Sequence, residues 1–141
     1  MALPQFHRLR IRERRAETAH AMSIAFDVPE ALHEAYRFRP GQFLTLEAEV
    51  GGELLRRAYS VCSSVQHYES RGELRIAIKR VDGGRFSEWA HDSLAAGQIL
   101  NVMAPDGRFG PLETPAANGH CLALAAGSGI TPILSIVHST L

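Results

Sequence analysis

Short stretches in which apolar and polar residues alternate with a period of two recur along this chain, and they restrict it to a fold built mainly from half-buried strands. Met22, Ile24, Phe26 and Val28 alternate with Ala21, Ser23, Ala25 and Asp27 until Pro29 stops the run. Leu44, Leu46, Ala48 and Val50 alternate with Thr45, Glu47 and Glu49, after which Gly51-Gly52 predicts a hairpin into a strand over 53–61. Leu74, Ile76 and Ile78 give a further strand, and Ile99 to Met103 another. The basic stretch Arg8 to Arg15 is interrupted by Leu9, Ile11 and Glu13 and reads as a strand with one solvated face. From Phe86 the period changes: Phe86, Trp89, Ala90 and Leu94 fall on one helical face, and Gly97 suits a helix end. Glu30 to Tyr36 fits a short helical turn, whereas the polar, Ser-rich residues 62–72 read as a loop. Pro105, Gly107, Gly110, Pro111 and Pro115 punctuate their region too densely for regular structure.

The last part of the chain has another texture. His120 to Ala126 is nearly continuous apolar sequence, as expected of a parallel strand covered on both faces. Gly127-Ser128-Gly129-Ile130-Thr131-Pro132 follows, with Thr131 placed to cap a helix and Pro132 at a favoured first position. With 141 residues, 45% of them apolar, the chain can bury one ordinary core but not two. The expected organisation is therefore a complete domain over 1–116 and, over 117–141, the first strand and helix of a truncated α/β nucleotide-binding domain. Such a stub would leave an apolar patch prone to association through Ile133, Leu134, Ile136 and Val137.

Charge and cysteine content remove several function classes. Fifteen Lys+Arg balance 15 Asp+Glu, so no overall field favours nucleic acid or an anionic membrane. An oligonucleotide-binding barrel is disfavoured further, because the aromatics have no companion basic stripe. Cys62 and Cys121 are too few for an iron–sulfur cluster or a disulfide framework, and the seven His show no metal-ligand spacing. No metal site is expected. Neither a signal-peptide run nor a stretch of about 20 apolar residues is present, so the expected setting is soluble and cytoplasmic.

Three motifs bear chemistry. In Arg57-Ala58-Tyr59-Ser60, Arg57 and Tyr59 share one face of a strand: a planar fork suited to phosphate oxygens beside an aromatic wall, with a hydroxyl next to it that could bond a ring nitrogen. Taken alone, a surface Arg, a barrel Tyr and a strand-end Ser are the better reading, since short strings recur by chance. Gly83-Gly84-Arg85-Phe86-Ser87 runs a glycine turn into a helix, offering free backbone N–H groups and a positive dipole end to an anion; a plain turn capped by Ser87 is about as good a reading of those residues. Lys79 could add charge nearby. The Gly127-to-Pro132 turn departs from the dinucleotide fingerprint in having Pro where a third Gly would stand, yet it has the required strand-before, helix-after context.

Phe38-Arg39-Pro40-Gly41-Gln42-Phe43, Arg57-Ala58-Tyr59-Ser60, Ile76-Ala77-Ile78-Lys79-Arg80-Val81 with Gly84 and Ser87, and Ala125-Ala126-Gly127-Ser128-Gly129-Ile130-Thr131-Pro132 stand in this order. As an ordered set they resemble the ferredoxin-NADP reductase superfamily. Within it, Phe26-Asp27-Val28-Pro29 and Ile130 to Ile136 are similar to the reductase subunits of phenylacetyl-CoA epoxidases. The resemblance implies an all-β domain, a six-stranded antiparallel Greek-key barrel with one short helix, ahead of the nucleotide-binding domain. It implies FAD as cofactor, with Arg57 on the pyrophosphate, Ala58 and Tyr59 along the isoalloxazine and Ser60 at its N5 region as the catalytic residue. Ile78, Lys79, Gly84, Phe86 and Ser87 would add contacts, while Gly127, Gly129 and Thr131 would border nicotinamide and flavin. Electrons would pass from NAD(P)H through flavin to a 2Fe–2S centre, carried by a further C-terminal domain, and then to an oxygenase component or ferredoxin-type acceptor of aromatic catabolism. The residue that distinguishes NADH from NADPH would follow Leu141. A non-catalytic interaction protein on the same barrel, docking through its C-terminal stub, is the alternative expectation.

Overall fold

A computed structural model describes residues 3–110 and 119–141. Its six strands form one antiparallel sheet: β1 Phe6–Thr18, β2 Ala21–Asp27, β3 Phe43–Val50, β4 Glu53–Ser60, β5 Glu73–Lys79 and β6 Ile99–Met103, in the spatial order β4-β3-β6-β1-β2-β5. β1 and β2, like β3 and β4, are hairpin neighbours, whereas β6 returns to lie between β3 and β1, which makes the topology a Greek key. The sheet curls until its edges β4 and β5 approach. Just past β4 they meet, through a bridge between Val61 and Ile76 and a bond from Cys62 N–H to the Arg75 carbonyl at 2.8 Å. Beyond that stitch the two edges diverge, so the barrel is closed at one end of this seam and open at the other.

The period of two sets the register and therefore the core. Leu9 and Ile11 of β1 point inward while Arg8, Arg10 and Arg12 face solvent, as the sequence pattern requires. Phe26, Leu44, Leu46, Leu74, Ile76 and Ile78 are fully buried with them. Tyr36 is also fully buried, and its hydroxyl is satisfied, donating to the Val102 carbonyl at 2.5 Å and meeting His7 Nδ1 at 3.2 Å. The turn expected over 30–36 begins as a 3₁₀ turn at Glu30–Leu32.

Among the described residues two helices, not one, lie between the strands of the barrel. α2, Arg85–Ser93, is the expected one; α1, Val65–Arg71, lies where the sequence predicts a loop. α1 is short and mostly polar, and both of its ends are capped. Ser64 Oγ accepts from His67 N–H at 3.1 Å, and Gly72 adopts the left-handed conformation (φ 62°) that ends the helix. Tyr68 supplies its one buried side chain.

A charged network ties α1 to the sheet. The nearly buried carboxylate of Glu73 accepts from Arg12 at 3.2 Å, His67 Nε2 at 3.0 Å and Arg75 at 3.4 Å, and Arg75 also donates to Ser23 Oγ at 2.9 Å and to Glu13. Burial alone would push the Glu73 carboxyl up, but the hydrogen bonds from His67 and Arg12 and the charge of Arg75 outweigh it and hold it below its ordinary value of 4.5. A carboxyl depressed on folding stabilises above its unfolded value, and that contribution is lost as pH falls through the folded one. Glu73→Gln is therefore expected to cost about 1–3 kcal/mol at neutral pH, and the gap between variant and wild type should narrow in urea melts at about pH 3. Equal stability of the two proteins at neutral pH would show that the network contributes nothing.

Candidate functional site

Where β4 and β5 diverge, the open seam becomes a cleft of about 440 Å3. Arg57, Ala58, Tyr59 and Ser60 of β4 form one wall, and Ala77 and Lys79 of β5 the other. The loop after β5 and the start of α2 add Val81, Gly84, Arg85, Phe86 and Ser87, and the far side is completed by Ser128 and Thr131. Of the residues singled out from sequence, Arg57, Ala58, Tyr59, Ser60, Lys79, Gly84, Phe86, Ser87 and Thr131 thus converge on one place. Ile78, Gly127 and Gly129 do not line it: the Ile78 side chain is in the core, and its carbonyl accepts from His91 Nε2 at 2.9 Å. Ala77, Val81, Arg85 and Ser128 also line the cleft; each stands inside one of the sequence motifs without a role assigned to it there. Arg85 was legible in the glycine-turn motif, whose chemistry was read from its backbone alone.

Pairing explains the wall chemistry. Leu46 is opposite Arg57 and Leu44 opposite Tyr59, and directly opposed residues share a face, so Arg57 and Tyr59 stand on the core-facing side where the barrel opens. Tyr59 lies against Phe86, ring centroids 6.0 Å apart and tilted 36°, and Phe86 packs edge-on against Trp89 at 5.4 Å. The phenol ring is thus held by one face while its other side borders the cleft. Burial pushes the Tyr59 hydroxyl up to about 12, the nearby Arg57 charge pulling weakly the other way, so the ring stays neutral in any physiological medium.

The cleft is rich in donors with spare capacity. Arg57 is exposed and, among the described residues, donates only to the neighbouring Arg56 carbonyl, at 2.8 Å. At α2, the Gly84 N–H is bound to Val81 and the Glu88 N–H to Gly84, while the N–H groups of Arg85, Phe86 and Ser87 have no backbone acceptor among the described residues. Ser87 is not the N-cap; Gly84 holds that position, and Ser87 Oγ accepts from Val81 N–H at 3.1 Å, bracing the turn. A Cβ on Gly84 would lie 2.6 Å from Ser87 Oγ and 2.9 Å from the Val81 carbonyl, so only glycine lets the turn fold this tightly. The resulting surface is flat and aromatic along Tyr59 and cationic with directed amides at Arg57 and Gly84. A ligand with a planar ring and a pyrophosphate fits both halves.

The C-terminal elements reach the cleft by a route that differs in part from expectation. Gly127–Gly129 form a 3₁₀ turn, with Gly127 at φ 57°, and run into helix α3, Ile130–Thr140. Thr131 does not cap it by accepting an amide; its hydroxyl donates to the Ser128 carbonyl at 2.9 Å and clamps the turn. Ser135 Oγ donates to the Ser63 carbonyl at 2.7 Å and Ser139 Oγ accepts from the Val65 N–H at 3.0 Å, which docks α3 against the barrel and sets Ser128 and Thr131 at the cleft. Ile133, Leu134 and Ile136 are half-buried in consequence, and Val137 is 38% exposed, so α3 is less bare than the sequence suggests. Residues 120–126 form no regular element and are exposed, with Leu122 87% and Leu124 83% accessible, so the expected parallel strand does not form. None of the six described strands pairs with them, and an apolar run becomes a strand only beside a bonding neighbour.

Among the described residues no group of His, Cys, Asp or Glu is arranged to hold a metal, and no helix is long and apolar enough to cross a membrane.

Comparison with known proteins agrees with this geometry. The family model of the oxidoreductase FAD-binding domain matches residues 8–110. A component of the 1,2-phenylacetyl-CoA epoxidase from Escherichia coli (strain K12) is 48% identical over 136 residues, which is 96% of this chain and 37% of that protein. The reductase subunit of glycine betaine monooxygenase from Pseudomonas aeruginosa is 46% identical over 99 residues, covering 70% of this chain and 26% of its own length. Among solved structures, phthalate dioxygenase reductase, described as a modular structure for electron transfer from pyridine nucleotides to a 2Fe–2S centre, superposes with a TM-score of 0.71 at 28% identity, over 95% of this chain and 39% of that one. A ferredoxin NADP+ reductase from Neisseria gonorrhoeae with bound FAD and NADP gives 0.72 at 25% identity, over 96% and 51%. The chain therefore spans about a third of the length of the curated relatives it matches. The barrel, its open seam and the match across nearly all of its strands lead to one assignment: this chain belongs to the oxidoreductase FAD-binding domain family.

Proposed function

We propose that this chain is the flavin-seating part of an NAD(P)H-dependent reductase, with the barrel over 1–116 holding FAD and residues 117–141 opening the NAD(P)-binding domain. The observation that carries this reading is the convergence of Arg57, Tyr59, Ser60 and the Gly84 turn on a single cleft. When bound, the flavin supplies hydride acceptance from NAD(P)H and single-electron release.

The chain's own residues bind and orient. The Arg57 guanidinium and the free amides of Arg85, Phe86 and Ser87, presented by the Gly84 turn, would take the pyrophosphate, and the phosphate charge would be favoured further by the N-terminal end of the nine-residue α2. Tyr59 and Ala58 would hold the ring plane and Lys79 would add charge on the opposite wall, while Ile78, whose carbonyl is taken by His91, would support that wall from the core. The Ser60 hydroxyl lines the cleft and has no protein partner among the described residues, which supports a role in hydrogen-bonding the N5 region of the ring. Gly127, Gly129 and Thr131 bound the side from which nicotinamide would approach, Thr131 directly and the glycines by letting the turn come close.

Likeness to the epoxidase component and to other oxygenase reductases favours an oxygenase of phenylacetyl-CoA catabolism as the final recipient, by way of a 2Fe–2S centre outside this chain. A cytoplasmic setting goes with that reading. Titrating the purified chain with FAD is expected to quench flavin fluorescence to saturation at micromolar concentration. A folded chain that leaves flavin emission unchanged would overturn the proposal.

A further inference from the structure

Arg85 is the first residue of α2 and lines the cleft, but its side chain is engaged elsewhere: its Nη1 donates to Glu53 Oε2 at 2.5 Å. Glu53 opens β4 immediately after the Gly51-Gly52 turn, so this pair ties the tip of the β3–β4 hairpin to the start of α2, across the rim of the cleft. Both side chains are more than half exposed, at 51% and 60%. An ion pair so open to solvent is weak and exchanges partners readily. A pyrophosphate held by the free amides of Arg85, Phe86 and Ser87 would be a stronger acceptor for the same guanidinium, because its two phosphoryl groups together carry two negative charges against the carboxylate's one and present their oxygens in the geometry that an arginine fork matches.

We infer that Arg85 is a second phosphate ligand of the cleft and that Glu53 is its competitor, a built-in carboxylate holding the guanidinium at the rim until a phosphate takes it over. Arg57 and Arg85 then grip the anion from opposite sides of the seam, one from β4 and one from α2. The coupling makes Glu53 a brake on affinity for phosphate-bearing ligands, and transfer of Arg85 to the ligand frees the hairpin tip from α2. The geometry also explains a placement that stability alone does not, since an exposed pair linking a hairpin to a helix contributes little to folding. The inference rests on the reading of this cleft as a flavin seat.

A double-mutant cycle on the full chain tests it, with FAD and riboflavin as probes and flavin fluorescence as the readout. Glu53→Gln should tighten FAD binding by about two- to fivefold, the equivalent of releasing one exposed ion pair. Arg85→Gln should weaken it by roughly five- to twentyfold. Riboflavin, which has no phosphate, should respond to neither change, and Glu53→Gln should add nothing in the Arg85→Gln background. Three results would overturn the inference while leaving the flavin seat intact: wild-type FAD affinity in Arg85→Gln, no gain in Glu53→Gln, or a gain that persists undiminished without Arg85, which would mean through-space repulsion and not competition for the guanidinium. A wild-type chain that binds no FAD would remove the seat itself and the inference with it.

Discussion

Arg57→Ala is expected to weaken FAD binding by about ten- to a hundredfold, the worth of charge-assisted hydrogen bonds lost to a phosphate. Arg57 is exposed and among the described residues donates only to its neighbour's carbonyl, so its removal should leave the fold and its urea midpoint unchanged. Tyr59→Ala should also lose affinity, by about tenfold for the missing aromatic face, and should lose it equally for FAD and riboflavin. Tyr59→Phe should bind as wild type, because the work assigned to the residue is done by its ring: it packs on Phe86, and its hydroxyl has no partner among the described residues. The two positions are thus separable by ligand. If Arg57→Ala binds FAD as tightly as the parent, the pyrophosphate is not where the cleft places it.

The site was legible because strand alternation is a strong signal: once 53–61 is a strand, Arg57 and Tyr59 must share a face, and the pairing with Leu46 and Leu44 shows that face to be the core side at the barrel's open end. The glycine turn at 83–84 was legible for the same local reason. What sequence could not supply was partnership across distance. Arg85 and Glu53 are 32 residues apart, and nothing in either segment announces the other. The helix α1 escapes a reading by pattern because Val65-Gln66-His67-Tyr68-Glu69-Ser70-Arg71 carries too few apolar residues for a period to show; the signals it does have, Ser64 before it and Gly72 after it, are caps, which define the ends of a helix but not its presence. The error at residues 120–126 has the opposite origin. Their apolar run is real, but pairing is a property of two segments, and none of the described strands lies beside them.

The largest effect on folding is expected at Gly41, which does not line the cleft. The Pro40-Gly41 turn lies against residues 105–110, a stretch whose Pro and Gly content excludes helix and strand but gives no hint of what it packs on. In the structure Phe43 and Asp106 bridge these segments through reciprocal backbone bonds of 2.9 and 3.0 Å, and the Gln42 side chain donates to the Gly107 carbonyl at 3.2 Å. The approach is so close that a Cβ on Gly41 would fall 1.9 Å from the Phe109 carbonyl oxygen, a backbone atom with no rotamer to escape into, and Gly41 also sits at φ 99°. Gly41→Ala must therefore push the two segments apart, breaking their bridge, as well as strain its own backbone. About 3 kcal/mol or more is expected, combining a strained conformation with lost backbone bonds. Gly51 is the matched control: its φ of 60° carries the conformational penalty, but no atom lies within 4 Å of its Cβ position. Gly51→Ala should cost only about 1 kcal/mol. Urea unfolding of the two variants separates these contributions, and equal losses would show that the turn at Gly41 is not clamped against residues 105–110.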